Sequence, residues 1–353
     1  MEPLLNKIRT KVENQERITR PEAVWLFEEA SDEILKELAT TTRRRFHSSD
    51  DTATYLIMAI VNYTNVCVAK CDYCSFYRLP HQPGTYLLDF DQVCSKIDEL
   101  RKFGGTLVSF NGGFHPKLHL RDYADLFSRI RARYGRDLEF FEMTVAEFMF
   151  SCKLSKVTYD EGAALLKSSG TRWVTGGGAE ILDDQFRARH SPGKYKVADY
   201  FMAQEAILRA GMGSTATQVI GFDETLDERL NHLEALRAFQ DRAPRKLPSF
   251  LCWTYKPWNN ELGGKELSSG EYLRWLAVCR IFLDNFMHIR TSVLTQNEKA
   301  LDGLRFGAND FDLPTEDEVT QKAGATITHD FERILSAARA EGFKVQYRDP
   351  FPL

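Results

Sequence analysis

From Tyr55 onward, short runs of β-branched and aromatic residues alternate with longer amphipathic segments. Each short run ends in polar or glycine-rich residues, which is typical of a strand that enters a loop. Strands that alternate with helices form parallel sheets, because a helix carries the chain back between two parallel neighbours. At 353 residues the chain has about the length of one large barrel. We therefore predict an α/β fold, a TIM-type (βα)8 or near-complete barrel with an N-terminal helical extension.

Three regions follow from this pattern: a helical extension over 1–50, the barrel over 51–310, and a C-terminal helix and tail over 311–353 that close the barrel. The predicted strands are 56–62, 106–110, 138–143, 172–175, 215–220, 250–255 and 289–294, with 304–308 as the eighth. The predicted helices between and after them are 120–134, 159–168, 197–210, 224–240, 270–284 and 330–341.

Composition excludes several classes of protein. Hydrophobic residues make up 43% of the chain and aromatic residues 12%, enough for a large core and against disorder. Forty-six basic and fifty acidic residues lack the basic excess that nucleic-acid backbones require. The sequence shows neither an apolar run of roughly 20 residues nor a signal-peptide core at its start. We expect a cytoplasmic protein that binds neither nucleic acid nor membrane.

Three of the seven cysteines lie within eight residues, CVAKCDYC, directly after the first predicted strand. The spacing of Cys67, Cys71 and Cys74 is CxxxCxxC. Three thiolates hold three irons of a four-iron, four-sulfur cluster and leave the fourth iron open to an exchangeable ligand. The alternatives are a zinc site completed by Cys94 or His81, and three thiols without metal.

The cysteine motif resembles that of the radical S-adenosylmethionine (SAM) superfamily. The resemblance implies that SAM chelates the open iron and is cleaved to a 5′-deoxyadenosyl radical, which abstracts a hydrogen atom from substrate. It also implies that Tyr73 lies beside the adenine. In NGGFHP, Gly112 and Gly113 take the position of a GGE-like segment that accepts from the SAM ammonium, unless they form an ordinary turn. His115 substitutes for the family's acidic residue or caps the next helix.

Further motifs resemble the futalosine enzymes of menaquinone biosynthesis over about residues 53–310. They are NYTNVC, CSFYR, GGGAEI, GFDETLDERLNHLEALRAFQD, WTYKP and RFGAND. Within this group the match is to the cyclases of dehypoxanthine futalosine, which implies removal of the ribose C4′ hydrogen and ring closure onto the benzoate. The segments DRAPRKLPSF and FDLPTEDEV depart from the usual loops. Aminofutalosine synthase-like chemistry therefore stays an alternative, as does, from another class, a structural metal-binding scaffold.

Chemistry in such a barrel belongs at the carboxyl ends of the strands. There Glu180 is a candidate for the SAM ribose hydroxyls or a helix cap. Glu142 and Thr144 are expected to point inward toward SAM or substrate, although a carboxylate at this rim can instead pair with an arginine. Tyr63 either lines the mouth with a catalytic role or supports the cysteine loop.

Four residues are candidates for the substrate. Arg187 or Arg189 could grip its carboxylate, unless both are simply solvated. Either Gln218 or its neighbour Thr217 must face the barrel interior, and we expect Gln218 to bind substrate. Trp253 could form an aromatic wall or belong to the core. The radical chemistry also requires an electron donor of the flavodoxin or ferredoxin type.

Overall fold

The computed structural model describes residues 2–47 and 49–348. Its strands are β1 (Thr52–Val61), β2 (Leu107–Phe110), β3 (Glu139–Phe141), β4 (Met143–Thr144), β5 (Trp173–Thr175), β6 (Gly213–Ser214), β7 (Ala216–Ile220), β8 (Ser249–Thr254), β9 (His288–Thr291), β10 (Asp310–Asp317) and β11 (Lys344–Tyr347).

The helices before the barrel are α1 (Glu2–Glu13), α2 (Arg20–Glu28) and α3 (Asp32–Arg43). Those of the barrel and the C-terminal region are α4 (Phe90–Lys102), α5 (Leu120–Tyr134), α6 (Val145–Ser155), α7 (Tyr159–Ser168), α8 (Asp184–His190), α9 (Val197–Arg209), α10 (Leu226–Arg242), α11 (Ser269–Phe282), α12 (Val293–Gln296), α13 (Glu318–Lys322) and α14 (Phe331–Ala340). A 3₁₀ segment, Asn297–Leu304, follows α12.

The strands pair in parallel around a barrel. One ladder runs in the order β3, β2, β1, β10, β9, β8, β7, and a second joins β4, β5 and β6. Only Glu142 separates β3 from β4 along the chain, and only Thr215 separates β6 from β7, so the two ladders continue into each other. The predicted barrel is confirmed. Its core is formed by the outward-facing strand residues and the apolar faces of the surrounding helices.

The position of the eighth strand was predicted wrongly. Residues 304–308 end the 3₁₀ segment and form a turn, whereas the strand that pairs with both β9 and β1 is β10. The sequence of β10, DFDLPTED, does not predict a strand, because carboxylates and a proline are unusual in a central strand. Pro314 is accommodated at a bulge, where the register with β1 shifts between Met58 and Ala59.

The helices before β1 cover one side of the barrel, as predicted. α2 and α3 pack against α11, whose residues are buried nearly throughout. At the other terminus, β11 pairs with the amino-terminal half of β1, from Thr52 to Tyr55. β11 therefore lies at the end of the barrel opposite the carboxyl ends of the strands, whereas residues 311–317 of the predicted C-terminal region belong to β10, and Val319 and Thr320 line the cavity at the carboxyl ends. Residues 349–353 of that predicted region lie outside the described residues.

Candidate active site

A cavity with about 1440 Å³ of empty space opens at the carboxyl ends of the strands. The residues that line it alternate along each strand, as the period of two requires. They include Met58 and Ile60 of β1, Thr217 and Val219 of β7, Leu251 and Trp253 of β8, Arg290 of β9, and Asp312 and Pro314 of β10.

The cysteine loop leaves β1 and is held from several sides. The backbone N–H of Cys67 donates to the carbonyl of Arg78 (3.0 Å), and that of Val68 donates to Phe114 (3.1 Å). The Asp72 N–H donates to the carbonyl of His190, while the Asp72 carbonyl accepts from Glu261 and Leu262. Backbone bonds to separate loops thus fix a segment that has no regular secondary structure of its own.

Cys67, Cys71 and Cys74 pack together in one apolar cluster with Phe114, and all three are free thiols. Burial raises the pKa of Cys71 to about 12. Burial also raises the pKa of Cys74, and repulsion from the neighbouring Cys67 adds to that rise. Within residues 2–47 and 49–348, no three His, Cys, Asp or Glu side chains surround a single metal ion. Three cysteines of a four-iron cluster each bind a different iron, so they need not converge on one point.

The glycine pair after β2 provides the space for this loop. A Cβ on Gly113 would lie 2.3 Å from the carbonyl oxygen of Val66 and 2.6 Å from Cβ of Cys67, and one on Gly112 would meet the Tyr63 ring at 2.6 Å. Close packing therefore accounts for both glycines, and a role for their carbonyls toward SAM stays a prediction. His115 accepts the Lys117 N–H at Nδ1 within this turn, whereas His119 is the N-cap residue of α5.

Glu180 lines the cavity and binds a lysine that the sequence did not point to. Lys194 Nζ lies 3.1 and 3.0 Å from the two carboxylate oxygens of Glu180 and donates to the Tyr73 hydroxyl at 3.2 Å. Burial alone would lower the pKa of Lys194, but negative charge on Cys71 and Glu180 raises it well above its usual value. Glu180 does not cap α8, since Asp183 does. Tyr73, Glu180 and Cys74 thus meet at one side of the cavity.

Glu142 is placed differently from the sequence-based expectation. Instead of pointing into the mouth, it binds Arg131 at 2.9 Å and accepts the N–H groups of Arg172 and Trp173. It therefore bridges the gap between β3 and β5. Burial raises its pKa to about 7, against the lowering effect of Arg131. This position does not support a catalytic role for Glu142, because its carboxylate is already bonded to Arg131 and to the backbone N–H groups that precede and begin β5.

Tyr63 and Thr144 share a partner, Glu147, that sequence analysis missed. The Tyr63 hydroxyl donates to Glu147, and Thr144 Oγ1 donates to the other carboxylate oxygen at 2.6 Å. Thr144 also accepts the Glu147 N–H as the N-cap of α6, in a T-x-x-E capping box that the sequence does carry. Thr144 lines the cavity, whereas Tyr63 is fully buried beneath Gly112. Tyr63 supports the loop rather than lining the mouth.

Three of the expected substrate residues are engaged elsewhere. Buried Arg187 donates to the carbonyls of Ala179, Ile181 and Tyr195, and so it holds the glycine loop in place. Arg189 forms a bidentate ion pair with Glu228 (2.7 and 3.1 Å). Gln218 faces the helices, where it accepts from the Trp275 indole and donates to the Arg229 carbonyl. Its neighbour Thr217 faces the cavity, so the expectation for Gln218 was wrong by one position.

The lining of the cavity also contains Trp253, as expected, and three ionisable residues that the sequence analysis did not select. Lys256 follows β8 and contacts Glu266, and Arg290 contacts Asp312 and lies 3.1 Å from Asp310. Asp317, at the end of β10, is 3% exposed and lines the same cavity. Lys256 lies in the WTYKP motif, whereas nothing local in the sequence marks Asp317 as inward-facing.

Comparisons with known proteins agree with this geometry. Residues 61–236 match the radical SAM superfamily, and residues 249–350 match the CofH/MqnC C-terminal region. The chain is 33% identical to a cyclic dehypoxanthine futalosine synthase of Halalkalibacterium halodurans, covering 96% of this chain and 91% of the relative. It is 31% identical to an aminodeoxyfutalosine synthase of Thermus thermophilus, covering 92% and 88%.

Among solved structures, methylornithine synthase (PylB) superposes with a TM-score of 0.70 at 14% identity, covering 96% of this chain and 97% of that one. This similarity shows the fold. The cysteine loop, the cavity that it borders and the two sequence matches lead to one assignment. The chain belongs to the radical SAM enzymes, in the family that carries the CofH/MqnC C-terminal region.

Proposed function

We propose that this enzyme is a cyclase of the futalosine pathway of menaquinone biosynthesis, which removes the ribose C4′ hydrogen of dehypoxanthine futalosine and joins C4′ to the benzoate ring. The observation that carries the proposal is the cavity at the carboxyl ends of the strands. Cys74 and Glu180 in its lining suit a cofactor, while Trp253 and Lys256 suit an aromatic carboxylate. The cyclic dehypoxanthine futalosine synthase at 33% identity supports the same substrate.

The residues present fit a four-iron, four-sulfur cluster on Cys67, Cys71 and Cys74, with SAM beside Tyr73 and Glu180. When bound, this pair supplies the 5′-deoxyadenosyl radical that abstracts a hydrogen atom. Glu180 is suited to accept from both ribose hydroxyls because each of its oxygens is an acceptor and the ion pair with Lys194 holds the carboxylate in position.

On the substrate side, we assign the benzoate carboxylate to Lys256. Its side chain is 8% exposed, and burial lowers its pKa. Its ionic contact, Glu266, lies in the loop after β8 and is 39% exposed, so a substrate carboxylate can replace it. Trp253 lines the cavity and supplies an aromatic surface for the ring.

An external one-electron donor, of the flavodoxin or ferredoxin type, is part of the proposal because the cluster must be reduced before each cleavage of SAM. No helix among the described residues is long and apolar enough to cross a membrane. We propose that the enzyme works in the cytoplasm, where such donors are present.

Anaerobic reconstitution with iron and sulfide, followed by SAM, reductant and dehypoxanthine futalosine, tests the function by mass spectrometry. We expect free 5′-deoxyadenosine and a product lighter than the substrate by two hydrogens. Aminofutalosine synthase-like chemistry would instead place the deoxyadenosyl group in the product. Intact SAM in a protein that assembles no cluster would contradict the radical assignment itself.

A further inference from the structure

Asp317 is turned into the cavity by a bulge in β10. Met58 and Ile60 of β1 both line the cavity, and their register partners on β10 are Pro314 and Asp317. The partners of two alternate residues would lie two apart in a regular ladder, but here they lie three apart. The extra residue shifts the phase of the strand, so that Asp317 rather than Glu316 takes the inward position.

The carboxylate of Asp317 is only half satisfied. One oxygen accepts from the Thr320 hydroxyl, whereas the other, Oδ1, is buried and has no hydrogen-bond partner among the described residues. An unpartnered buried carboxylate oxygen is costly, so its retention at a cavity wall indicates a ligand that completes it. Burial raises the pKa of Asp317 to about 7, although hydrogen bonds from the Thr320 side chain and from the backbone of Thr320 and Val319 lower it, and repulsion from Glu316 adds a smaller rise.

Neighbouring cations do not neutralise Asp317, because they are bound to its neighbours in sequence. Lys96 of α4 contacts Glu316, and Lys322 of α13 contacts Glu318 at 2.8 Å. Tyr86 also donates to Glu318, at 2.7 Å. The other ionisable side chains that line the same cavity are Tyr73, Cys74, Glu180, Tyr255, Lys256, Arg290 and Asp312.

We propose that Asp317 is the general base of the ring-closing step. This inference rests on the proposed cyclase function. Once C4′ has lost its hydrogen atom and has bonded to a ring carbon, that carbon carries both the new bond and a hydrogen, and the ring holds an unpaired electron. Asp317 takes the hydrogen as a proton. The electrons of the broken C–H bond stay in the ring and restore the aromatic sextet, and the one surplus electron leaves to an acceptor of the iron–sulfur class.

The step balances over the whole reaction. One hydrogen atom leaves to the deoxyadenosyl carbon, and one proton and one electron leave in the closing step, which together account for a product short of two hydrogens. A base with a pKa near the working pH is efficient because it is ionised enough to accept the proton and still basic enough to bind it. Asp317 lines the cavity, and its Oδ1 has no hydrogen-bond partner among the described residues, which are the geometric conditions for such a base.

The Asp317→Asn variant tests the assignment, with Glu316→Gln as the control on the adjacent residue outside the cavity. We expect Asp317→Asn to keep cleaving SAM to 5′-deoxyadenosine in the presence of substrate while cyclic product per deoxyadenosine falls about 100-fold or more. Glu316→Gln should keep the wild-type ratio. Asp317→Glu, which retains a carboxylate, should recover part of it and guards against a simple folding defect.

Two further readouts do not depend on turnover alone. Calorimetric titration of the reconstituted protein, without SAM or reductant, should give the same substrate affinity for Asp317→Asn as for the wild type. In the wild type, product per deoxyadenosine should rise with pH through about 7, because only the ionised carboxylate accepts a proton. Asp317→Asn should lose this dependence.

The outcomes separate the two claims. If the wild type makes no cyclic product, the cyclase function fails. If the wild type cyclises and Asp317→Asn gives the wild-type ratio, the function stands and Asp317 is not the base. A variant that loses substrate affinity but keeps the ratio would make Asp317 a binding residue and would also overturn the proposal.

Discussion

Lys256 and Arg290 both carry positive charge at the cavity wall, but they differ in how firmly they are neutralised. Arg290 lies between Asp310 and Asp312, which are both buried, and Asp310 also pairs with Arg348 at 2.7 Å. Lys256 contacts a single carboxylate on a partly exposed loop. The lysine can therefore exchange its partner for a ligand, whereas the arginine would leave buried carboxylates without compensation.

Replacing Lys256 by Met should weaken substrate binding about 10- to 100-fold, since a charge-assisted hydrogen bond is lost. Isothermal titration of the protein with dehypoxanthine futalosine measures this change. Lys265→Met, on an exposed position of the same loop, should bind as the wild type does. Equal affinities for all three proteins would remove Lys256 from the substrate site.

For single residues, the sequence identified which residues belong to the site more reliably than the direction in which each side chain points. The cysteines, Tyr73 and Glu180 lie together as their motifs suggested, and Trp253 lines the cavity. Gln218 and Arg187 do not line the cavity. The phase of the strand turns Gln218 toward the helices, and the fold of the glycine loop engages Arg187. Lys194 reaches Glu180 from 14 positions along the chain, a distance that no local pattern encodes.

At the scale of elements, β3 and β5 are held together through Arg131 on α5. Its guanidinium binds Glu139 at 3.0 Å and Glu142 at 2.9 Å, and both carboxylates are buried. Arg172 provides Glu139 with a second cation at 2.7 Å, so Glu142 depends more on Arg131. This network links helix α5 to the junction between β3 and β4, where the two ladders of the barrel continue into each other.

Arg131→Met should lower the free energy of unfolding by about 3–5 kcal/mol, because it leaves a buried carboxylate without its cation. Arg121→Met, an exposed position on the same helix, should change it by less than about 0.5 kcal/mol. Urea denaturation followed by circular dichroism compares the two. A loss no larger than that of the control would show that the network contributes little to the barrel.

The elements were predictable where hydrophobic periodicity is strong and not where charge replaces it. The helices over 120–134 and 159–168 have the expected bounds. β10 escaped because Asp310 and Asp312 are inside the barrel only through Arg290 and Arg348, which come from other parts of the chain. Such a strand becomes recognisable only once its ion-pair partners are placed.

At the scale of the whole molecule, the barrel brings the residues that we propose for cofactor and substrate to one cavity. The cysteine loop follows β1, Glu180 follows β5, Lys256 follows β8 and Asp317 ends β10, so residues that are far apart in sequence meet at one mouth. The barrel itself followed from the alternation of strands and helices. The identity of the side chains that line the mouth needed coordinates, since it depends on the phase of each strand, as with Thr217 in place of Gln218.

The most direct test of the central claim uses dehypoxanthine futalosine deuterated at C4′, with the reconstituted enzyme, SAM and reductant under anaerobic conditions. We predict that the deuterium appears in 5′-deoxyadenosine, which becomes one mass unit heavier, while the cyclic product loses it. If 5′-deoxyadenosine remained unlabelled and the product kept the deuterium, the radical would not act at C4′, and the cyclase account would be contradicted.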